Sequence, residues 1–207
     1  METACQWAAL DGDKATGKES TVANKRLAHI VLQTNQLTAL KDWYLKVLDA
    51  RIVYENPQIA FLTFDEEHHR LAIAQVPGLV ERTTLTVGLF HSAFTFDSLE
   101  ELLAKYEDLK EQGIEPRMPV QHGVTTSIYY RDPDGNFVEL QVDNFATPDE
   151  ATEYMRSPEY TAEPIGPSFD PDAMLKALRS GVPESELLTR AWASTNPQHD
   201  FFEQMMS

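Results

Sequence analysis

The feature that most constrains this chain is an order of elements that occurs twice. The first run starts with a strand at Leu27–Leu32 (LAHIVL). A helix follows at Leu37–Leu48, where Leu37, Leu40, Tyr44, Val47 and Leu48 recur at helical spacing. Strands at Arg51–Tyr54 and Ile59–Phe64, a polar connection at Asp65–His69 and a strand at Leu71–Val76 complete the run. The second run starts with a strand at Leu89–Phe96 (LFHSAFTF) and an amphipathic helix at Ser98–Gln112. Ser98 and Glu101 are spaced as a capping box, and Gly113 stands where a helix C-terminus favours glycine. A hairpin closes this run. Thr126–Tyr130 is β-branched and aromatic, Asp132-Pro133-Asp134-Gly135-Asn136 carries turn chemistry, and Phe137–Val142 returns.

Register tests the repeat. Setting Ala72–Val76 over Val138–Val142 aligns Gln75 with Gln141 and Val76 with Val142, and places Ile73 opposite Glu139. The first strands align His29 with His91. The reading is an α+β fold of two βαβββ modules, residues 25–80 and 85–145. They are expected to pair into a cupped mixed sheet around a cleft. Residues 1–24 read as a flexible N-terminal arm. Residues 146–207 read as an extended, proline-punctuated tail with one short helix at Asp172–Arg179. With Trp192, Phe201 and Phe202, the tail reads either as a segment that wraps a surface or a neighbouring subunit, which makes a homodimer an expectation, or as a disordered tail.

Charge removes several partners. A formal net charge of −16 over 207 residues argues against nucleic acid and anionic membranes, which need basic patches. No run of 18 apolar residues suggests a membrane span, and the N-terminus lacks the pattern of a secretory signal. Cys5 is the single cysteine, so neither an intrachain disulfide nor a cysteine-based structural metal site can form. The expected compartment is the cytoplasm.

Glu139 lies among apolar strand residues, where a carboxylate is costly unless paired or bound to a cation. With the modules paired about a pseudo-twofold axis, His29, His91 and Glu139 would converge on one cleft, while Ile73 leaves the fourth position silent. Two imidazoles and one carboxylate with open positions suit non-haem Fe(II) and oxygen chemistry, and could also hold Mn(II). The adjacent His68 and His69 read as structural or substrate-entry residues. Tyr130 is expected on the opposite face from Tyr129, because side chains alternate along a strand.

LAHIVL, LFHSAF and YYRDPDGNFVEL together resemble the vicinal oxygen chelate superfamily, over about residues 25–145. That superfamily includes glyoxalase I, fosfomycin-resistance enzymes, bleomycin-binding proteins and type I extradiol dioxygenases. Ile73 at the fourth position, the segment FDEEHHRLAIA, and His122-Gly123 followed by Tyr129 are most similar to the extradiol branch. The interval from His122 to Tyr129 is about two residues shorter than is usual there. The resemblance implies Fe(II) held by His29, His91 and Glu139, with His122 in acid–base work and Tyr129 bonding a substrate oxygen. It implies a small aromatic diol and dioxygen as substrates. Two alternatives keep the fold: a glyoxalase, isomerase, lyase or thiol transferase using another metal, and a metal-free small-molecule binding protein.

Overall fold

The two runs of alternating residues each close into a sheet that packs one face on its own helix. The computed structural model describes residues 25–80, 82–83 and 87–197. The arm expected at residues 1–24, with Cys5, and the aromatic pair Phe201 and Phe202 lie outside the described residues. In the first module β1 (Ile30–Thr34) leads to α1 (Leu37–Val47), β2 (Arg51–Asn56), β3 (Ile59–Thr63) and β4 (Leu71–Gln75). The second repeats this with β5 (His91–Phe96), α2 (Leu99–Glu111), β6 (Met118–Gln121), β7 (Thr125–Arg131) and β8 (Phe137–Asp143). The sheets run β1-β4-β3-β2 and β5-β8-β7-β6, and in each the first strand is parallel to the last. The paired βαβββ modules expected from the repeat are therefore present, each with a four-stranded mixed sheet. The sequence left β6 unplaced because Pro119 weakens a strand signal; as an edge strand β6 tolerates it. Among the described residues no helix is long and apolar enough to cross a membrane.

Strand register corrects one expectation. Leu71 and Ile73 lie in the core with Leu40, Tyr44 and Val47 of α1, as Val138, Leu140 and Val142 do with Leu99, Leu102 and Leu103 of α2. Ala72 therefore faces away from its helix, as Glu139 does. Glu139 pairs across the sheet with Ala93 and Tyr129, and Ala72 pairs with Val31 and Phe61. The counterpart of Glu139 is thus Ala72, one residue away from the Ile73 that sequence alignment selected. Period-2 side chains make a one-residue slip a change of face. The fourth position stays silent, since alanine has no donor atom.

Local chemistry explains both helices. Ser98 accepts the Glu101 N–H at 3.2 Å, and the Glu101 carboxylate takes the Asp97 N–H at 3.2 Å. Gly113 ends the turn at φ +74°. At α1 the Leu37 N–H is satisfied from outside the helix, by Gln75 Oε1 of β4 at 2.9 Å.

The tail is more structured than its sequence suggested. Among the described residues it forms five helices: α3 (Pro148–Met155), α4 (Pro158–Ala162), α5 (Pro171–Arg179), α6 (Glu184–Leu187) and α7 (Arg190–Thr195). Pro148, Pro158 and Pro171 open helices behind the caps Thr147, Ser157 and Asp170, so prolines that punctuate an extended tail in the sequence are helix starts. The tail packs on its own second module. Phe169, Met174, Leu187 and Ala193 are fully buried in the core that α2 shares. Asp172 accepts from Tyr106 at 2.9 Å and from Lys110 at 2.6 Å.

One buried carboxylate joins the modules. Asp132, 4 % exposed, accepts the N–H groups of Asp134 at 2.9 Å and Asn136 at 2.8 Å, which shapes the β7–β8 turn. Its second oxygen accepts Asn136 Nδ2 at 2.8 Å and the Tyr44 hydroxyl of α1 at 3.0 Å. Gln36 adds bonds to Pro133 O and Asp134 Oδ1. Across the helices Lys105 reaches Lys46 O at 2.9 Å and Asp49 at 2.6 Å. Asp132→Ala strands four donors, one of them in the other module, and should lower unfolding free energy by about 3 kcal/mol. Tyr44→Phe should cost about 1 kcal/mol. Urea unfolding checks both, and an Asp132→Ala protein as stable as the wild type would remove Asp132 from this role.

Candidate active site

The face of the second sheet turned away from α2 gathers the site. β5 and β8 are parallel, with His91 paired to Phe137 and Ala93 to Glu139. His91 and Glu139 are therefore diagonal neighbours on that face. His91 Nε2 stands 2.9 Å from Glu139 Oε2. Tyr129, paired directly with Glu139, shares the face, while Tyr130 is buried in the helix-side core as alternation requires. His122 follows β6 and closes the group, with Nε2 3.0 Å from Tyr129 Oη and 4.0 Å from Glu139 Oε1.

The partners fix protonation. Burial pushes the Glu139 carboxyl upward. Hydrogen bonds from His91 and Ser127, with the His91 and His122 imidazoles beside it, outweigh burial, so its pKa lies below the usual value and it is ionised at neutral pH. Burial holds His122 below the ordinary imidazole value, against the pull of Glu139, so its ring is neutral. Its Nδ1 is 2.6 Å from the Ile165 carbonyl, which only accepts, so Nδ1 carries the hydrogen. Nε2 then holds a lone pair and accepts from the Tyr129 hydroxyl. Burial, followed by the charge of Glu139, raises the Tyr129 pKa, and the phenol stays protonated.

His29 is placed differently. It precedes β1 and lines a cavity of about 770 Å³ between β1 and β5 that His91 also lines. Phe64, Leu89 and Phe94 supply apolar wall. Among the described residues no three His, Cys, Asp or Glu side chains are grouped closely enough to hold a metal ion. The structure thus brings together His91, Glu139, His122 and Tyr129, and sets His29 on the cavity wall outside that group.

The residues present fit a divalent cation. Two ligands at right angles on one ion, each about 2.1 Å from it, lie about 3 Å apart. His91 Nε2 and Glu139 Oε2 have that spacing. Among the described residues His91 Nδ1 is buried with no hydrogen-bond partner, and Glu139 is the polar group at the ring's other nitrogen. An imidazole nitrogen and a carboxylate oxygen are ordinary donors for such an ion.

Two features escaped the sequence. His69, read there as structural or substrate-entry, stacks on Phe61 at 4.7 Å and lies 4.4 Å, centroid to centroid, from the His29 ring. Its burial, with His29 and His68 nearby, lowers its pKa. The pair His68-His69 was visible, but the contact with His29 depends on how β1 meets β4. The second feature is a buried amide network under the His122 loop. Gln121 donates to Thr126 Oγ1 at 2.6 Å and accepts from Asn144 at 2.7 Å and from the Gly123 N–H at 2.9 Å. No sequence pattern marks it.

Paired βαβββ modules with a histidine–carboxylate pair on one sheet face describe the class into which this chain falls. This chain belongs to the Glyoxalase/Bleomycin resistance protein/Dioxygenase superfamily, whose model matches residues 26–140. The membership expected from the sequence words is borne out. Biphenyl-2,3-diol 1,2-dioxygenase 3 of Rhodococcus globerulus is 62 % identical over 184 residues, covering 88 % of this chain and 97 % of that protein. Biphenyl-2,3-diol 1,2-dioxygenase 2 of the same organism is 56 % identical over 172 residues, covering 83 % and 90 %. Among solved structures, a fosfomycin resistance protein from Listeria monocytogenes is 26 % identical, with a TM-score of 0.48 over 62 % of this chain and 99 % of that one.

The neutral His122 has a consequence for stability. Its folded pKa lies below the ordinary imidazole value of 6.5, so the unfolded chain takes up a proton more readily. Stability linked to His122 is full above that value and declines as pH falls through it toward the folded pKa. Melting temperatures of wild type and His122→Asn between pH 8 and pH 5 should therefore converge as pH falls; a constant gap would show that the ring is not held neutral.

Proposed function

We propose that this protein is an extradiol-type dioxygenase that opens the ring of an aromatic diol with dioxygen, at an Fe(II) ion held by His29, His91 and Glu139. The observation that carries this reading is the 62 % identity, over 88 % of the chain, to a protein named biphenyl-2,3-diol 1,2-dioxygenase. His91 and Glu139 offer two donors at ligand spacing, and His29, on the wall of the cavity that His91 also lines, is the third donor in this reading. When bound, the metal supplies the Lewis acidity that favours the diol as its anion and the redox chemistry that activates dioxygen.

The chain's own residues do the rest. Glu139, ionised, partly neutralises a divalent charge. His122 Nε2 presents a lone pair on the Glu139 side of the sheet and can take a proton from a diol hydroxyl and return it later. Tyr129, kept as a phenol, can turn its O–H from His122 Nε2 to a substrate oxygen. His69, beside His29, is a second imidazole that burial favours in the neutral form. Phe64, Leu89 and Phe94 provide apolar surface for a planar ring.

Protein purified without oxygen and loaded with Fe(II) should consume dioxygen and yield a yellow product from biphenyl-2,3-diol or other catechols. His91→Ala should lose bound metal and at least about a hundredfold in turnover. Absence of oxygen uptake across a broad diol panel would sink the reaction. Full activity with Mn²⁺, Ni²⁺ or Zn²⁺ and no oxygen consumed would favour the glyoxalase-type alternative. Unchanged metal content in His91→Ala would remove His91 from the donor set.

A further inference from the structure

The match to the superfamily model ends at residue 140, yet the candidate acid–base residue is held by chain beyond it. Residues 165–169 run as a strap along β6. The Gln121 N–H donates to Pro167 O at 2.9 Å, the Phe169 N–H to Pro119 O at 3.3 Å, and Val120 and Ser168 form an antiparallel bridge. Phe169, fully buried, anchors the strap in the core.

Gly166 makes the close approach feasible. It lies at φ +87°, and a Cβ built there would stand 2.0 Å from the Gln121 carbonyl oxygen. Only glycine fits both the conformation and the gap. This approach brings Ile165 O to 2.6 Å from His122 Nδ1. A second hold comes from α7. Arg190 Nη2 donates to the His122 carbonyl at 2.5 Å, and its guanidinium lies over the rings of Tyr154 and Tyr160 at 5.9 Å and 5.4 Å.

We infer that the 165–169 strap and Arg190 are positioning elements for the reaction: they hold His122 in the Nδ1–H tautomer, with the Nε2 lone pair turned to Tyr129 and Glu139. A free imidazole populates both tautomers, and the one with Nε2–H would set a bare Nδ1 lone pair against the Ile165 carbonyl oxygen, two acceptors at 2.6 Å. A main-chain carbonyl that can only accept removes that choice. The 184 residues matched in the Rhodococcus relative exceed what the arm and two modules contain, so the likeness continues into the tail. The inference rests on the role given to His122 above, but the tautomer is measurable without turnover.

The test uses full-length protein labelled with ¹⁵N-histidine, metal-free and again loaded with diamagnetic Zn²⁺. Wild type should show His122 as a single Nδ1–H tautomer. Gly166→Ala, which pushes the strap off β6, and Arg190→Gln, which weakens the hold on the loop, should both show Nε2–H signal. With Fe(II), kcat for biphenyl-2,3-diol should fall about tenfold in both variants, with KM changed less than about twofold. Arg190→Lys, which keeps a donor for the His122 carbonyl, should retain the wild-type tautomer. Circular dichroism verifies folding; if Gly166→Ala does not fold, Arg190→Gln decides. A wild-type tautomer in the folded variants overturns the inference. A changed tautomer with undiminished turnover overturns the claim that the hold serves the reaction, and with it the role of His122. Wild type that holds the tautomer but turns over no diol fails the functional reading alone.

Discussion

The structure depends on a carboxylate that has left water. Asp132 lies in the turn between β7 and β8 and spends one oxygen on the turn's own N–H groups and the other on Asn136 and Tyr44. Burial raises its pKa, while its hydrogen bonds to Asn136, Tyr44 and Asp134 oppose that rise. One group therefore sets the hairpin turn and ties it to the helix of the other module. The turn fixes the β7–β8 register, and that register places Tyr129 opposite Glu139. A slip of one residue would carry both to the helix side, where an ionised carboxylate has no counter-charge.

Around that tie, the second module divides its two sheet faces by task. Val138, Leu140, Val142, Ile128 and Tyr130 pack against the helix side and hold the sheet. The opposite face carries His91, Tyr129 and Glu139 and is stiffened by Met118, Val120 and Phe137. The modules are not covered equally. β6 is buried under the strap, whereas β2 leaves Ile52, Val53 and Tyr54 at 40 %, 49 % and 50 % exposure. The better-covered module holds the tighter half of the site. His29, at the exposed start of β1, belongs to the barer one.

Much of this was legible. The doubled strand–helix–strand order, the capping residues of α2 and the DPDGN turn each come from local chemistry, and each appears in the structure. Glu139 stood out because a carboxylate in an apolar strand needs an explanation, and its contact with His91 supplies one. The failures share a cause. The identities Gln75–Gln141 and Val76–Val142 set Ile73 over Glu139, while the faces pair Ala72 with it; sequence alignment has no access to which side of a sheet is buried. The tail's prolines suggested an extended segment because Pro alone does not say whether it interrupts a helix or begins one. The strap's hold on His122 comes from a backbone carbonyl and has no residue-type signature.

By itself the sequence determined the two-module architecture, the superfamily and the donor types, because these follow from periodicity, turn residues and side-chain chemistry along a local stretch. Tertiary structure decided which donors meet. His91, Glu139, His122 and Tyr129 lie on β5, β8, the end of β6 and β7, and only strand pairing and a folded tail bring them within hydrogen-bonding range. Distance between residues far apart in the chain is set by packing, and packing is a property of the whole fold.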